Sequence, residues 1–515
     1  MTSQEILQQE FGLIADLIRA HAQERPRHPA LIKDDSVLDY GTLDSMMDRV
    51  AASLQRDGIA AGSSIAICAT AGIEYGVVFL GALRAGVVVA PLAPSSTPES
   101  LALMVRDCGA KLLFLDQSVA AAIDAAGIPA AVGRISLDDS SVGKPLQAWL
   151  AATESKPAPV AIEPDAAFNI IYSSGTTGAP KGIVQPHRMR WQHVRRASGS
   201  GYDVSAVTIC STPLYSNTTL VSFFPALAGG GAVVLMSKFD AAKFVALAEK
   251  YRATHAMLVP VQYQRIMDLP DFDRHDLKSF RMKFCTSAPF SAALKGDILN
   301  RWPGGLIEYY GMTEGGGTCV LQAHEHPTKL HTVGRPAPGH DIRLIDEQGN
   351  EVAQGEIGEV VGRSPAMMRG YFNQPAKTSE AEWYDREGNR FIRTGDVGRF
   401  DAEGFLTLMD RKKDMIISGG FNVYPSDLEA VLFQHDAVAD AAVVGVQSRQ
   451  WGETPVAFIQ LRPGSSETAD SIQRWANERL GKTQRLTAVQ ILPSLPRSAI
   501  GKVLKRELRD RYVRS

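Results

Sequence analysis

Eleven consecutive residues, Tyr172-Ser173-Ser174-Gly175-Thr176-Thr177-Gly178-Ala179-Pro180-Lys181-Gly182, combine four hydroxyl side chains, two glycines inside the turn and a lysine–glycine close. A mostly apolar run, Phe168 to Ile171, precedes them and reads as a buried strand. Glycine lets the main chain come close to a bulky anion, and Ser and Thr add donors from side chain and backbone. Such a loop suits the phosphates of a nucleotide. The Walker pattern is excluded, because it needs Gly-Lys-Ser/Thr opening a helix and Lys181 is followed by glycine. A Gly/Ser/Thr-rich turn can also be a plain surface loop, and the length of this run argues against that.

A second segment, Tyr309-Tyr310-Gly311-Met312-Thr313-Glu314-Gly315-Gly316-Gly317, offers a tyrosine face for a purine and a Thr–Glu pair suited to phosphate and magnesium. Taken alone it is a Gly-rich turn after a strand. Three further segments have equally plain readings. Asp396 in Arg393-Thr394-Gly395-Asp396 is a carboxylate after glycine, ordinarily a turn residue. Asp410 to Gly420 reads as a solvated charge cluster before a strand, and Lys502, at the end of Pro496-Arg497-Ser498-Ala499-Ile500-Gly501-Lys502, as a solvated lysine.

Together, in this order, the five segments resemble the motifs of the adenylate-forming enzymes: acyl-CoA and aryl-CoA synthetases, luciferases and peptide-synthetase adenylation domains. The resemblance covers nearly the whole chain and is nearest in tone to bacterial aryl- and acyl-CoA ligases. It implies that Ser173, Ser174, Gly175, Thr176, Thr177, Gly178 and Lys181 cradle the phosphates of ATP, with Ser287, Ala288, Tyr310 and Gly311 also on the nucleotide. Thr313 would contact phosphate and Glu314 would hold Mg2+. Asp396 would accept both ribose hydroxyls, which suits the two oxygens of a carboxylate, with Arg411 as a second ribose contact. Lys413 would be a hinge whose rotation presents Gly419 and Gly420 to coenzyme A. Lys502 would bridge the substrate carboxylate and the α-phosphate; removing one such donor typically costs ~10²–10³ in rate.

Tyr215, Ser216, Gly315 and Gly316 would line the acyl pocket. Ser216 stands where the family usually has histidine, in Pro213-Leu214-Tyr215-Ser216-Asn217, so no acyl specificity transfers directly. No proline follows Lys482-Thr483-Gln484-Arg485-Leu486 in the family's K-x-P manner. The pocket segments Tyr215–Thr218, Phe284–Ala288 and Gly311–Gly317 contain no arginine or lysine to call for a dicarboxylate. Their small residues suggest an aromatic, alicyclic or medium-chain acid.

The elements that must position these groups are legible as strand–helix alternation. Ser64–Ala69, Lys111–Leu115, Gly231–Met236, His255–Val259, Arg281–Thr286 and Leu306–Tyr310 read as strands. Phe244, Leu247, Ala248 and Tyr251 repeat at helical spacing behind Asp240, a cap. The pattern predicts parallel sheets covered by helices. Val119–Gly133 and Asp138–Pro159 read as peripheral connections. After about residue 330 short alternating runs, Asp341–Leu344 and Glu356–Val361, predict a β-rich subdomain. Beyond Asp414 a helix (Asp427–Phe433), strands (Ala441–Val446, Val456–Leu461), another helix and a closing one (Lys502–Leu508) predict a small α+β domain. The expected fold is therefore α/β: a large domain over 1–412 with two helix-covered sheets, and a small mobile domain over 413–515 carrying Lys502.

With 54 basic and 56 acidic residues, no global field favours nucleic acid or an anionic membrane. Composition is that of a globular chain, 45% hydrophobic and 21% charged. Cys68, Cys108, Cys210, Cys285 and Cys319 are scattered and odd in number, which fits a reducing compartment. No basic region precedes an apolar core at Met1–Glu5; Leu13, Leu17 and Ile18 read as a core-facing helix, and Gly76–Ala93 as a buried helix and strand rather than a membrane span. The expectation is a cytoplasmic AMP-forming ligase using ATP, Mg2+ and coenzyme A, with a homodimer as a possible assembly. The alternatives are a stand-alone ligase loading a carrier protein and a catalytically silent nucleotide-binding relative. A lysine acetyltransferase acting on Lys502 is a further expected partner.

Overall fold

The computed structural model describes residues 1–173, 180–411, 414–418, 421–448, 451–481, 484–498 and 501–514. It forms two compact units: Met1–Leu330 with Pro336–Asp341 and Arg363–Ile392, and His331–Arg335 with Ile342–Gly362 and Arg393–Ser515.

Strand–helix alternation gives the first unit two sheets. One has the spatial order Gly370–Tyr371, Lys181–Pro186, Ala167–Ser173, Val88–Pro91, Ser64–Cys68, Leu112–Leu115, Gly133–Ser136, Lys144–Pro145. It is parallel from Ala167–Ser173 onward and antiparallel on the Lys181 side. Ser64–Cys68 is buried at every residue, because alternate side chains meet different layers. Ile65 and Ile67 enter the core shared with the second sheet, while Ala66 and Cys68 join a cluster under the Pro98–Asp107 helix.

In the second sheet, Pro29–Lys33, Ala232–Leu235, Val207–Cys210, His255–Leu258, Met282–Cys285 and Gly305–Gly311 run parallel. Antiparallel Thr318–Gln322 follows Gly305–Gly311. The shared core is aromatic at its centre: Phe224 meets Phe79 and Phe168 edge-on at 5.3 and 5.1 Å.

Local chemistry sets the helices. Asp240 caps Ala241–Lys250 by accepting from the Lys243 amide at 2.7 Å. The apolar helix Ile73–Arg84 ends on a buried arginine paired to Asp44 and Asp48 at 2.5 and 2.8 Å. Gly81 lets that helix cross Tyr40–Arg56 closely; a Cβ there would lie 2.5 Å from Cβ of Val50. Among the described residues no helix is long and apolar enough to cross a membrane.

The second unit contains a long antiparallel pair, Val438–Ser448 with Gly452–Leu461. Alternation sends Val443, Ala457 and Ile459 against the helices Pro425–Leu432 and Ala469–Arg479. On the other face, Val444, Val456 and Phe458 meet Leu508 of the Lys505–Arg514 helix.

Three expectations are corrected. Val119–Gly133 and Asp138–Pro159 are not merely peripheral: Val119 and Ile123 are buried, and Gly133–Ser136 and Lys144–Pro145 extend the sheet. Trp149 is buried edge-on to Phe114 at 5.2 Å. Gly133–Ser136 and Lys144–Pro145 carry too little apolar pattern to be read, and tertiary pairing makes them. The closing helix begins at Lys505, so Lys502 lies outside it, on the loop formed by the Arg497–Val503 bridge. The strand expected over Leu306–Tyr310 runs on through Gly311, a residue with a plain turn reading, because Thr318–Gln322 pairs with it.

Candidate functional site

In the first unit two antiparallel strands flank the Ser/Thr/Gly run. Ser173 ends one strand, Lys181 opens the next, and the two are cross-strand partners. Ser174, Gly175, Thr176, Thr177 and Gly178 lie outside the described residues. Lys181 places its Nζ 5.1 Å from the centroid of the Tyr371 ring. The Tyr371 hydroxyl donates to Oε1 of Glu314 at 2.8 Å. Burial first, then the Glu314 charge, pushes the Tyr371 phenol's pKa far up, so the phenol stays a donor. Lys181, Tyr371 and Glu314 thus form one contiguous group. Tyr371 was absent from the sequence reading.

Magnesium takes one or two carboxylates and completes its shell with phosphate oxygens and water. The half-buried Glu314, oriented through Oε1 by a neutral phenol, fits that role. Among the described residues no three His, Cys, Asp or Glu side chains form a metal-holding group, so the fit is to one carboxylate with ligand oxygens and not to an all-protein cage.

Gly315 has a positive φ of 75°, and a Cβ there would fall 1.9 Å from the Ala366 carbonyl oxygen. Close backbone approach therefore requires this glycine. Ser364 Oγ donates to the Gly315 carbonyl at 2.8 Å, and the Met368 amide to that of Glu314 at 2.8 Å. These bonds fix the turn after Thr313. Gly316 is buried in the same turn, while Tyr310 and Gly311 end the strand before it.

Two of the segments expected to line an acyl pocket meet directly. Thr218 Oγ1 lies 2.6 Å from Ser287 Oγ. Ser287 has φ +84°, an uncommon conformation for a residue with a side chain. Ser287 and Ala288 follow Met282–Cys285 at the carboxyl end of a parallel strand, where α/β sheets take ligands. Ser216 is buried at the head of the Asn217–Ala228 helix but makes no side-chain capping bond. Tyr215 is half-buried beside it, its phenol pKa raised by burial.

A buried polar network that the sequence reading missed supports this region. Gln185 Nε2 donates to the Thr313 carbonyl at 2.8 Å and to Asn217 Oδ1 at 3.3 Å. Arg190 donates to Asn169 Oδ1 through Nε and Nη2, both at 3.1 Å, and to Gln185 Oε1. Burial pushes the Arg190 guanidinium down to about 9. The signal was present: His187, Arg190, Trp191 and Val194 follow i, i+3, i+4, i+7, so Arg190 stands in a core stripe.

In the second unit, Asp396 and Arg411 are antiparallel cross-strand partners. The Asp396 amide donates to Thr394 Oγ1 at 3.0 Å, and Arg393 forks onto Glu359 at 3.1 and 2.6 Å. Of Arg411 only the backbone is described; Lys413, Gly419 and Gly420 lie outside the described residues. Lys502 is exposed on a tight loop. The Ser498 amide donates to the Lys502 carbonyl at 2.8 Å, while Arg497 joins the Gly501 carbonyl at 2.6 Å to Asp440 at 2.5 Å. Arg497 therefore anchors the loop that presents Lys502.

Comparison with known proteins gives a consistent picture. Residues 18–372 match the AMP-binding enzyme family, and residues 427–502 match the AMP-binding enzyme C-terminal domain. The fatty acid–[acyl-carrier-protein] ligase ScoC of Streptomyces coeruleorubidus is 30% identical, the match covering 96% of this chain and 95% of that protein. The 4-coumarate–CoA ligase 5 of Oryza sativa subsp. japonica is 32% identical over 92% of this chain and 90% of its own. The solved structure of ATP-bound MatB from Rhodopseudomonas palustris superposes with a TM-score of 0.87 at 28% identity, covering 97% of this chain and 99% of that one.

Proposed function

We propose, from the premise that this chain belongs to the AMP-binding enzyme family, that it joins a carboxylic acid to coenzyme A through an acyl-adenylate. Adenylate-forming CoA ligases use ATP, Mg2+ and coenzyme A. The acid is aromatic, alicyclic or medium-chain. The observation that carries the reading is the Lys181–Tyr371–Glu314 group, which ties the phosphate hairpin to the Tyr310–Glu314 segment.

In this reading Lys181 and the hairpin hold the phosphates, Glu314 orients magnesium, and Tyr310 lines the adenine. Asp396 accepts the ribose hydroxyls. Carboxylate attack on the α-phosphate expels pyrophosphate, and Lys502 offsets the repulsion of the two anions. The coenzyme A thiol then attacks the acyl carbonyl, expelling AMP, with residues 413–515 reoriented about Lys413 so that Gly419 and Gly420 face the thiol. Pyrophosphate release, followed by thioester formation across aromatic, alicyclic and C4–C12 acids, tests the reading; no pyrophosphate from any acid would sink it.

The similarity to a carrier-protein ligase supports a second reading, in which a holo carrier protein replaces coenzyme A. Product analysis with each acceptor separates the two. A silent relative is disfavoured, because Glu314, Asp396 and Lys502 are all present.

A further inference from the structure

Resting on the ligase reading, we propose that Arg196 receives a second carboxylate at the far end of the acid, so that the substrate is a dicarboxylic acid activated at one end. Arg196 lies on the last turn of the His187–Ser198 helix, outside every segment that the sequence assigned to the acyl pocket. Its guanidinium carbon sits 5.0 Å from the centroid of the Tyr309 ring. Tyr309 stacks on Phe284 at 5.8 Å, and Phe284 on Tyr202 at 5.8 Å.

These contacts locate Arg196. Phe284 opens the pocket segment that ends at Ala288, and Tyr309 immediately precedes Tyr310. Phe284 pairs with Ile307, so Phe284, Ile307, Tyr309 and Gly311 share one face of the adjoining parallel strands. Gly311 lies about 7 Å beyond Tyr309 along that face and carries no side chain. A molecule entering at the carboxyl ends of these strands would therefore run down the face toward the Arg196 guanidinium.

The charge around Arg196 is the second observation. Arg196 makes no hydrogen bond with the described residues; burial lowers its pKa, and Tyr309 alone opposes the shift. His193, one turn earlier, is 9% exposed, and its Nδ1 has no partner among the described residues. Burial holds it neutral, reinforced by Arg190, Arg196 and His340. Among the described residues the Nδ1 of His340 and the Nη1 of Arg190 also lack partners. Two permanent cations and two neutral imidazoles thus gather, and no carboxylate contributes to the shifts of Arg190, Arg196, His193 or His340.

Burying cations without a counterion is costly, and here Arg190 is fully buried and Arg196 partly so. Elsewhere this chain meets that cost directly, as Arg84 does with Asp44 and Asp48. A carboxylate arriving on the substrate would supply the counter-charge that none of the described residues contributes to these four groups. Its two oxygens match the planar guanidinium fork, and a neutral imidazole can add a donor.

The test measures kcat/KM for pyrophosphate release with matched acids: cinnamate against 4-carboxycinnamate, and hexanoate against adipate. Wild type, Arg196→Met and Arg196→Lys are compared. Thermal shift with each acid and a non-hydrolysable ATP analogue gives an independent binding readout. Wild type should favour a diacid over its monoacid by roughly 10²-fold. Arg196→Met should erase that preference by losing the diacid and keeping the monoacid, and Arg196→Lys should retain part of it. Equal loss on both acids, or a diacid preference indifferent to Arg196, would overturn the proposal and leave the ligase reading standing. Absence of pyrophosphate, with a diacid thermal shift that Arg196→Met abolishes, would sink the ligase reading and keep the subsite. Neither signal would overturn both.

Discussion

The phenol of Tyr371 reaches Glu314 from 57 residues away in sequence, donating to Oε1 at 2.8 Å while Lys181 stacks on its ring. One side chain therefore positions a candidate metal carboxylate and a candidate phosphate lysine together. Tyr371→Phe keeps the ring and removes the donor. Adenylation kcat/KM should fall about 10-fold, with a raised magnesium requirement, and Glu314→Gln should cost ~10²-fold or more. Magnesium titrations of pyrophosphate release check this; an unchanged magnesium dependence in Tyr371→Phe would remove the phenol from the site.

Lys502→Ala should lose pyrophosphate release by ~10²-fold or more yet still convert supplied acyl-adenylate and coenzyme A to thioester. Lys502 is exposed on its loop, within reach of a modifying enzyme. Acetylation removes the charge, so enzyme labelled by a lysine acetyltransferase should behave like the alanine variant, and a deacetylase should restore it. Full adenylation with stoichiometric label at Lys502, mapped by mass spectrometry, would refute the role.

Proline fixes φ. Lys413→Pro should preserve adenylation, which needs a single orientation of residues 413–515, and block thioester formation. Single-turnover assays of each half-reaction decide; retained overall turnover would place the hinge elsewhere.

Ser216 heads its helix two residues before Thr218, which contacts Ser287. Ser216→His should redistribute preference among acids and leave the KM for ATP similar. An unaltered acid profile would put Ser216 away from the acyl group.

His187, packed edge-on to Phe168 at 4.9 Å, is pushed by burial to about 4. Between pH 4 and the unfolded value near 6.5 the unfolded chain binds the extra proton, so stability rises with pH across that window and is flat above it. The protein should lose about 3 kcal/mol from this group between pH 6.5 and 4. Urea midpoints of wild type and His187→Gln across that range check this, the variant showing the shallower acid loss. Parallel curves would mean that His187 is not titrating.

By itself the sequence determined the order of the chemistry-bearing segments and the strand–helix alternation between them. Both are local properties: Asp240 caps the helix it precedes, and Ser173 and Lys181 are joined by a connection short enough to pair them. The tertiary structure alone decided what those segments touch. Tyr371 belongs to a two-residue strand, too short to carry a pattern, and becomes part of the site only because it pairs beside Ile183. Arg190 and Arg196 are polar letters in a helix of mixed composition, and their meaning comes from their surroundings. Asn169 and Gln185 surround one, Tyr309 faces the other, and no acid enters the electrostatics of either. Local spacing sets which face of a helix or strand a side chain occupies; burial, dielectric and partner charge come from remote segments, and those set what the side chain can do.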